Sequence, residues 1–262
     1  MSGRLRLIIP LATVASCARV APPSPIVASA TVPAASPQSA SRNEDVRQLV
    51  VVTTSDWNAI SGIMRRYTRE SATSAWRSDG AAVPVVVGRT GLAWGDDALG
   101  ASDGNPRKHE GDGRAPAGMF PLDTAFGFLG HADASWVRLP YVTLRDDSEC
   151  VDDSASAYYN TVVNRSAVPR VDWTSAERMR HIDQYRLGVI VGYNARPPRH
   201  GLGSCIFLHI WADATTPTSG CTAFPAADVE SLVRWLDPRR RPMLVQLPQP
   251  EYARLRERWE LP

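Results

Sequence analysis

The sequence predicts a mainly β fold, a β-sandwich with a few peripheral α-helices. Short β-branched or apolar runs outnumber helical patterns, and the segments between them are short or irregular. No repeat of fixed period is visible along the 262 residues. These observations together indicate one substantial core built largely from strands.

Eight runs rich in β-branched or apolar residues predict strands. In chain order they are residues 48–54, 81–87, 91–94, 119–122, 136–144, 187–194, 205–211 and 243–247. The run 187–194 is continuously apolar, which is typical of a strand buried on both faces.

Three segments predict helices. Residues 57–67 carry apolar side chains at helical spacing, and residues 174–179 have the pattern of a short capped helix. Residues 225–236 form an amphipathic pattern. The segment 98–118 is rich in glycine, proline and charge, so we expect a surface loop there.

The N-terminus has the features of an export signal. Arg4 and Arg6 precede the apolar run 7–15 and then Cys17, which predicts a signal peptide over residues 1–17. The tetrapeptide ending at Cys17 also resembles a bacterial lipobox, so lipid attachment and plain cleavage are both open. We therefore expect an exported protein of the periplasm or cell envelope, with membrane contact only through a lipid on Cys17.

Composition divides the remaining chain into two parts. Residues 18–42 are rich in alanine, proline and serine, which predicts a disordered linker, and residues 43–262 are expected to form the catalytic domain. Basic residues number 29 against 27 acidic ones and are scattered, so no nucleic-acid partner is expected. Four histidines lack metal-ligand spacing, and neither a metal nor a cofactor is expected; they are His109, His131, His181 and His200.

One pair of residues suggests catalysis. His209 ends an apolar strand, and Cys221 follows it in a turn of small residues. A thiol attacks a carbonyl as thiolate, so Cys221 needs a base such as His209, aided by the positive end of the helix 225–236. We expect the backbone N–H groups of Gly220 and Cys221 to bind an oxyanion.

His209 followed by Thr218-Ser219-Gly220-Cys221 resembles the active-site signature of the YkuD-type L,D-transpeptidases. In that family a strand histidine precedes Ser/Thr-His-Gly-Cys. Residues 108–120 resemble the family's threonine-proline-x-glycine strand entry, and the likeness extends from about residue 83 to 247. Ser219 replaces the middle histidine, which indicates a divergent branch.

The resemblance implies an acyl-enzyme on Cys221, with His209 as general base and with Thr218, Ser219 and Gly220 supporting the oxyanion site. Peptidoglycan stem peptides would be the substrate, with another stem peptide or a wall-anchored protein as acceptor. Hydrolysis by the same cysteine, as in an L,D-carboxypeptidase, and a non-catalytic wall-binding module both remain open. Substrate contacts are expected from four residues beside the groove, which are Lys108, Glu110, Asp112 and Tyr193.

The remaining cysteines suggest a disulfide. If Cys17 is lipidated or removed and Cys221 is the nucleophile, Cys150 and Cys205 are left as a pair. We expect them to be bridged in an oxidising compartment, where the alternative is two free buried thiols.

Overall fold

The computed structural model describes residues 46–95 and 104–262. The predicted signal peptide, the linker and residues 43–45 of the predicted domain lie outside the described residues. In the described ranges the fold is mainly β with peripheral helices, which confirms the predicted fold class.

Strands dominate the described chain. They are β1 (Gln48–Thr54), β2 (Ser61–Thr68), β3 (Arg77–Ser78), β4 (Val83–Val86), β5 (Leu92–Trp94), β6 (Ala115–Gly127), β7 (Tyr141–Thr143), β8 (Ser148–Val151), β9 (Val162–Asn164), β10 (Ala176–Arg178), β11 (Leu187–Val191), β12 (Phe207–Ile210), β13 (Thr222–Phe224) and β14 (Met243–Pro248). The α-helices are α1 (Ala226–Trp235) and α2 (Gln249–Leu255). Short 3-10 helices cover Arg165–Ala167, Met179–His181, Asp183–Arg186 and Pro238–Arg240.

Eight strands form a closed, sandwich-like circuit of hydrogen-bonded neighbours. Its order is β1, β14, β6, β11, β12, β13, β4 and β2, and β2 pairs again with β1. The circuit is mixed, since β1 with β14 and β12 with β13 are parallel and the other pairs are antiparallel. The apolar side chains of these strands build the main core, as Val50, Val189 and Leu244 illustrate with at most 1% of their surface exposed.

The helix α1 covers the outside of this sheet. Its buried residues Val229, Leu232 and Val233 are three and four positions apart, so they share one helix face. The prediction of a helix at 225–236 is therefore confirmed, and the helix packs against β11 and β12.

Three short strands form a second sheet, whose hydrogen-bonded pairs are separate from those of the circuit. We call β10, β8 and β9 the cap sheet, in that spatial order. A disulfide joins Cys150 in β8 to Cys205, just before β12, with the two Cα atoms 6.0 Å apart. The cap sheet is thus tied covalently to the strand that carries His209.

Two helix predictions are wrong. Residues 57–67 contribute instead to β2, which pairs with β1 from Gly62 to Thr68, and residues 174–179 contain β10. In β2 the apolar Ile63 is 37% exposed, so the apolar residues at helical spacing in this segment do not form one buried face. Pairing with a neighbouring strand overrode a local pattern in both segments. Among the described residues, no helix has the length and apolar character needed to cross a bilayer.

Candidate active site

The strands β12 and β13 bring His209 and Cys221 together. They run parallel with Leu208 beside Thr222 and His209 beside Ala223, so Phe207 lies beside Cys221. Side chains two residues apart on a strand point to the same face. Phe207 and His209 therefore share one face of β12, and Cys221, directly before β13, accepts a hydrogen bond from the Phe207 N–H. His209 and Cys221 are both buried.

The orientation of His209 is fixed by the backbone of Ile210 and by a tyrosine. Its Nδ1 lies 2.8 Å from the carbonyl oxygen of Ile210, to which it donates. The ring of Tyr185 packs edge-on against it at a centroid distance of 5.1 Å. Donation from Nδ1 leaves Nε2 as the basic nitrogen.

Burial makes His209 a neutral imidazole. Removal from water lowers its pKa to about 4, and the hydrogen bond to Ile210 offsets this only in part. In the described part of the chain, no hydrogen bond joins His209 to Cys221. The Tyr185 ring packs against His209 and belongs to the same buried cluster as Cys221.

The Cys221 sulfur is held as a protonated thiol. It accepts from the backbone N–H of Phe207 at 3.3 Å and donates to the carbonyl oxygen of Cys205 at 3.4 Å. Burial, and then the charge of Glu177, raise the pKa of Cys221 above its ordinary value. The Cys221 thiol must therefore lose its proton before it can attack a carbonyl.

The helix that follows gives little help with that activation. The strand β13 separates Cys221 from the first turn of α1. A helix dipole acts mainly within its terminal turn, so the expected placement of the positive helix end beside the sulfur is wrong.

The turn before Cys221 is held by a threonine. The Thr218 hydroxyl donates to the Cys221 carbonyl oxygen at 2.6 Å and accepts from the Gly220 N–H at 3.1 Å. The Gly220 N–H is thus occupied, which corrects its predicted oxyanion role and leaves that role to the Cys221 N–H. A Cβ at Gly220 would lie 3.1 Å from the carbonyl oxygen of Arg114, so the position favours glycine. Ser219 is exposed.

Sequence reasoning missed Tyr185 and Glu177. The Tyr185 hydroxyl donates to Glu177 Oε2 at 2.7 Å, and Tyr185 belongs to the same buried cluster as Cys221. Burial raises the pKa of Glu177 to about 7. Glu177 belongs to the segment wrongly predicted as a helix, and Tyr185 lies just before the apolar strand β11, so no local pattern marks either residue.

The sequence predicts that Lys108 and Asp112 contact the substrate, but the structure pairs them with each other. Lys108 Nζ lies 2.7 Å from Asp112 Oδ1, and these side chains are only 4% and 5% exposed. Lys108 also donates to the carbonyl oxygen of His109 at 2.8 Å. The pair is a buried structural ion pair, although the charge of Lys108 acts on the Cys221 thiol.

Glu110 and Tyr193 are also held within the protein. Glu110 Oε2 accepts from the Tyr159 hydroxyl at 2.5 Å and from Ser204 at 2.7 Å. The Tyr193 hydroxyl donates to the carbonyl oxygen of Leu202, and its ring packs edge-on against Phe120. Their hydrogen-bonding groups face protein partners, not an open groove.

Within the described ranges, no cluster of His, Cys, Asp and Glu has an arrangement that would hold a metal ion. Comparison with known proteins found no family model, no curated protein and no solved structure that matches the chain. The case for a function therefore depends on the chain's own residues.

Proposed function

We propose that the chain is an exported cysteine acyl transferase of the L,D-transpeptidase type, acting on peptidoglycan stem peptides in the periplasm or cell envelope. One observation carries the proposal: β12, which contains His209, runs parallel to β13, which begins directly after Cys221, and the Phe207 N–H of β12 donates to the Cys221 sulfur. The His209 ring is also fixed through Nδ1, as a general base requires. The buried Tyr185 packs against the His209 ring and belongs to the same core cluster as Cys221.

The reaction has two acyl-transfer steps. Cys221 sulfur attacks a stem-peptide carbonyl, its proton leaves toward a base, and the thioester forms as the leaving amine departs with a proton. An acceptor amine, from another stem peptide or a wall-anchored protein, then attacks the thioester and loses a proton to His209 Nε2. The Cys221 N–H would bind the oxyanion in both steps.

The buried thiol indicates that substrate entry must displace a contact. Cys221 donates to the carbonyl oxygen of Cys205, and this bond has to break before the sulfur reaches a substrate. Cys205 is bridged to Cys150 in the cap sheet, so movement of this sheet would uncover the sulfur. The disulfide also supports an oxidising compartment and hence export.

A non-catalytic wall-binding module is the second candidate. The observation in its favour is the state of Cys221, which is 6% exposed and has a raised pKa because of its burial. A cysteine kept only for packing has these properties. Turnover separates the two candidates.

The decisive experiment incubates the purified protein with disaccharide tetrapeptides and follows the products by mass spectrometry. Cross-linked dimers with loss of alanine support the transpeptidase, and tripeptides alone support hydrolysis by the same cysteine. Unchanged substrate with retained binding to sacculi supports the binding module.

Two substitutions make the test specific. Cys221→Ala and His209→Ala should each abolish turnover, because they remove the nucleophile and the base. His181→Ala is the matched control, since His181 is exposed and its contact is with Arg178. Full activity of Cys221→Ala would show that another residue is the nucleophile.

A further inference from the structure

Cys205 is held at three of its groups, directly beside the proposed nucleophile. Its carbonyl oxygen accepts from the Cys221 sulfur at 3.4 Å, and its side chain is bridged to Cys150 in the cap sheet. Its backbone N–H donates to the side-chain oxygen of Asn160 at 2.9 Å. Cys205 also has a φ of 54°, which residues other than glycine adopt only at a cost, so these contacts together hold it in that conformation.

The side-chain amide of Asn160 is bonded on both sides. Its oxygen accepts from the Cys205 N–H, while its nitrogen donates to the carbonyl oxygens of Tyr193 at 3.1 Å and Asn194 at 2.6 Å. An amide nitrogen has two protons to donate, so both are used and the orientation of the group is determined. The backbone N–H of Asn160 donates to the carbonyl oxygen of Val151 in the cap sheet at 2.8 Å. Asn160 therefore joins the cap sheet to the loop between β11 and β12.

The loop between β11 and β12 is also bonded to itself. Asn194 Nδ2 donates to the carbonyl oxygens of Arg199 and Gly203, each at 2.9 Å, and Asn194 Oδ1 accepts from the Arg199 N–H at 2.7 Å. The Gly203 N–H donates to the Tyr159 hydroxyl at 3.0 Å. The end of the loop at Cys205 is thus positioned by side chains outside the strands.

The two hydrogen bonds of the Cys221 sulfur have opposite effects on its proton. The Phe207 N–H donates to the sulfur at 3.3 Å and so stabilises a thiolate, whereas the Cys205 carbonyl oxygen accepts the S–H and so stabilises the thiol. Phe207 belongs to β12, but Cys205 lies in the loop before that strand. The contact that keeps the thiol protonated can therefore be released without breaking the sheet.

We propose that Asn160 is a positioning residue that acts through Cys205. Its hydrogen bond to the Cys205 N–H keeps the Cys205 carbonyl on the Cys221 thiol, and release of that bond exposes the sulfur for attack. We call this closed arrangement of Asn160, Cys205 and the bridge to Cys150 the latch. The inference rests on the proposed role of Cys221 as nucleophile. A stem peptide opens the latch to the extent that it binds the open state more tightly than the closed one.

The test measures the rate of Cys221 alkylation by iodoacetamide in the full chain, with peptide mapping to assign the modified cysteine. Asn160→Gly removes the three side-chain hydrogen bonds, and glycine adopts the positive φ of this position without strain. We expect alkylation about tenfold faster than in the wild type, since losing one hydrogen bond shifts an equilibrium by about that factor. An unchanged rate would overturn the proposal.

The dependence of the rate on urea separates opening of the latch from unfolding of the whole protein. Local release of a loop exposes little new surface, so alkylation of Asn160→Gly should be nearly independent of urea well below the unfolding transition. Alkylation through global unfolding accelerates instead with the full urea slope of the unfolding equilibrium. That slope in Asn160→Gly would contradict the latch, because the substitution would then act only by destabilising the fold.

A second set of variants removes the other side of the latch. Replacing Cys150 and Cys205 by alanine breaks the bridge and should also speed alkylation of Cys221. Adding Asn160→Gly to this pair should then increase the rate by less than it does in the wild type, because both changes release the same carbonyl group. Fully multiplicative effects would mean that Asn160 and the bridge act on Cys221 independently, against the proposal.

The matched control is Asn164→Ala, which removes an amide of the cap sheet whose oxygen accepts from the Ser148 hydroxyl at 2.7 Å. It should leave the alkylation rate unchanged, and a rise equal to that of Asn160→Gly would replace the latch by a general loosening of the cap sheet. Alkylation needs no peptidoglycan. Absence of turnover on tetrapeptides would thus refute the proposed function and leave the latch intact, whereas turnover with equal alkylation of Asn160→Gly and wild type would refute the latch alone.

Discussion

The Thr218 hydroxyl donates a hydrogen bond of 2.6 Å to the backbone carbonyl oxygen of Cys221. The same oxygen atom of Thr218 accepts from the Gly220 N–H, so one side chain satisfies two backbone groups of the turn. The turn leads directly into β13, which pairs with the strand of His209. Thr218 therefore fixes the position of the sulfur relative to the imidazole.

Thr218→Val should lower both stability and turnover. The substitution preserves the shape of the side chain but leaves two backbone groups without their partner, at a cost of about 1–3 kcal/mol. We expect the loss in urea unfolding and a reduced rate of tetrapeptide conversion. Thr218→Ser retains the hydroxyl and should remain close to wild type. Equal stability of the valine and serine variants would show that the hydroxyl does not hold the turn.

Much of the sheet could be predicted from the sequence because its strands are locally distinct. The run 48–54 corresponds to β1, and 187–194 contains β11, since continuous β-branched runs have few other stable conformations. In contrast, β2 has an exposed face with mixed composition, and only its pairing with β1 makes it a strand.

The residues of the candidate site likewise include some that the sequence predicts and some that it does not. His209 and Cys221 lie in a short motif, so the sequence marks both. The bridge between Cys150 and Cys205 is expected once Cys17 and Cys221 are assigned other roles, with two free thiols as the alternative, and the structure contains the bridge. Glu177 in β10 meets Tyr185 in the 3-10 helix Asp183–Arg186, eight residues further along the chain. The irregular turn between them follows no helical or strand periodicity, so no local pattern encodes this contact.

Lys108 and Asp112 give a prediction about stability. Breaking a buried ion pair leaves one uncompensated charge, which costs about 3–5 kcal/mol. Lys108→Met and Asp112→Asn should each lower the free energy of unfolding by roughly this amount. The double variant should lose less than the sum of the two, because neither charge is left alone.

The exposed pair of Arg234 and Glu230 provides the comparison. Both side chains are about half exposed, so water and salt screen their attraction. Arg234→Met should cost under about 1 kcal/mol in the same urea experiment. Similar losses from Lys108→Met and Arg234→Met would show that burial of the first pair has no energetic consequence.

The disulfide gives a prediction about the cap sheet. Replacing Cys150 and Cys205 by alanine should lower stability by about 2–5 kcal/mol, because the unfolded chain gains freedom when the bridge is lost. Reductant should lower the melting temperature of the wild type and leave the double variant unchanged. Cys221→Ser should respond to reductant like the wild type, since Cys221 is outside the bridge and is the free cysteine among residues 46–95 and 104–262.

His209 and Glu177 should oppose each other in the pH dependence of stability. The pKa of His209 falls from 6.5 to about 4 on folding, so its stabilising contribution is complete above pH 6.5 and is lost as the pH falls toward 4. The pKa of Glu177 rises from 4.5 to about 7, so its contribution is complete below pH 4.5 and is lost as the pH rises through 7. Each amounts to about 3 kcal/mol.

Single variants should therefore reveal slopes that nearly cancel in the wild type. Glu177→Gln leaves His209 alone, so the free energy of unfolding should increase as the pH rises from about 4.5 to about 6.5. His209→Gln leaves Glu177 alone, so the free energy of unfolding should decrease over the same interval. Urea unfolding at a series of pH values measures both. Parallel profiles for the two variants would mean that these groups titrate in the folded protein as they do in the unfolded chain.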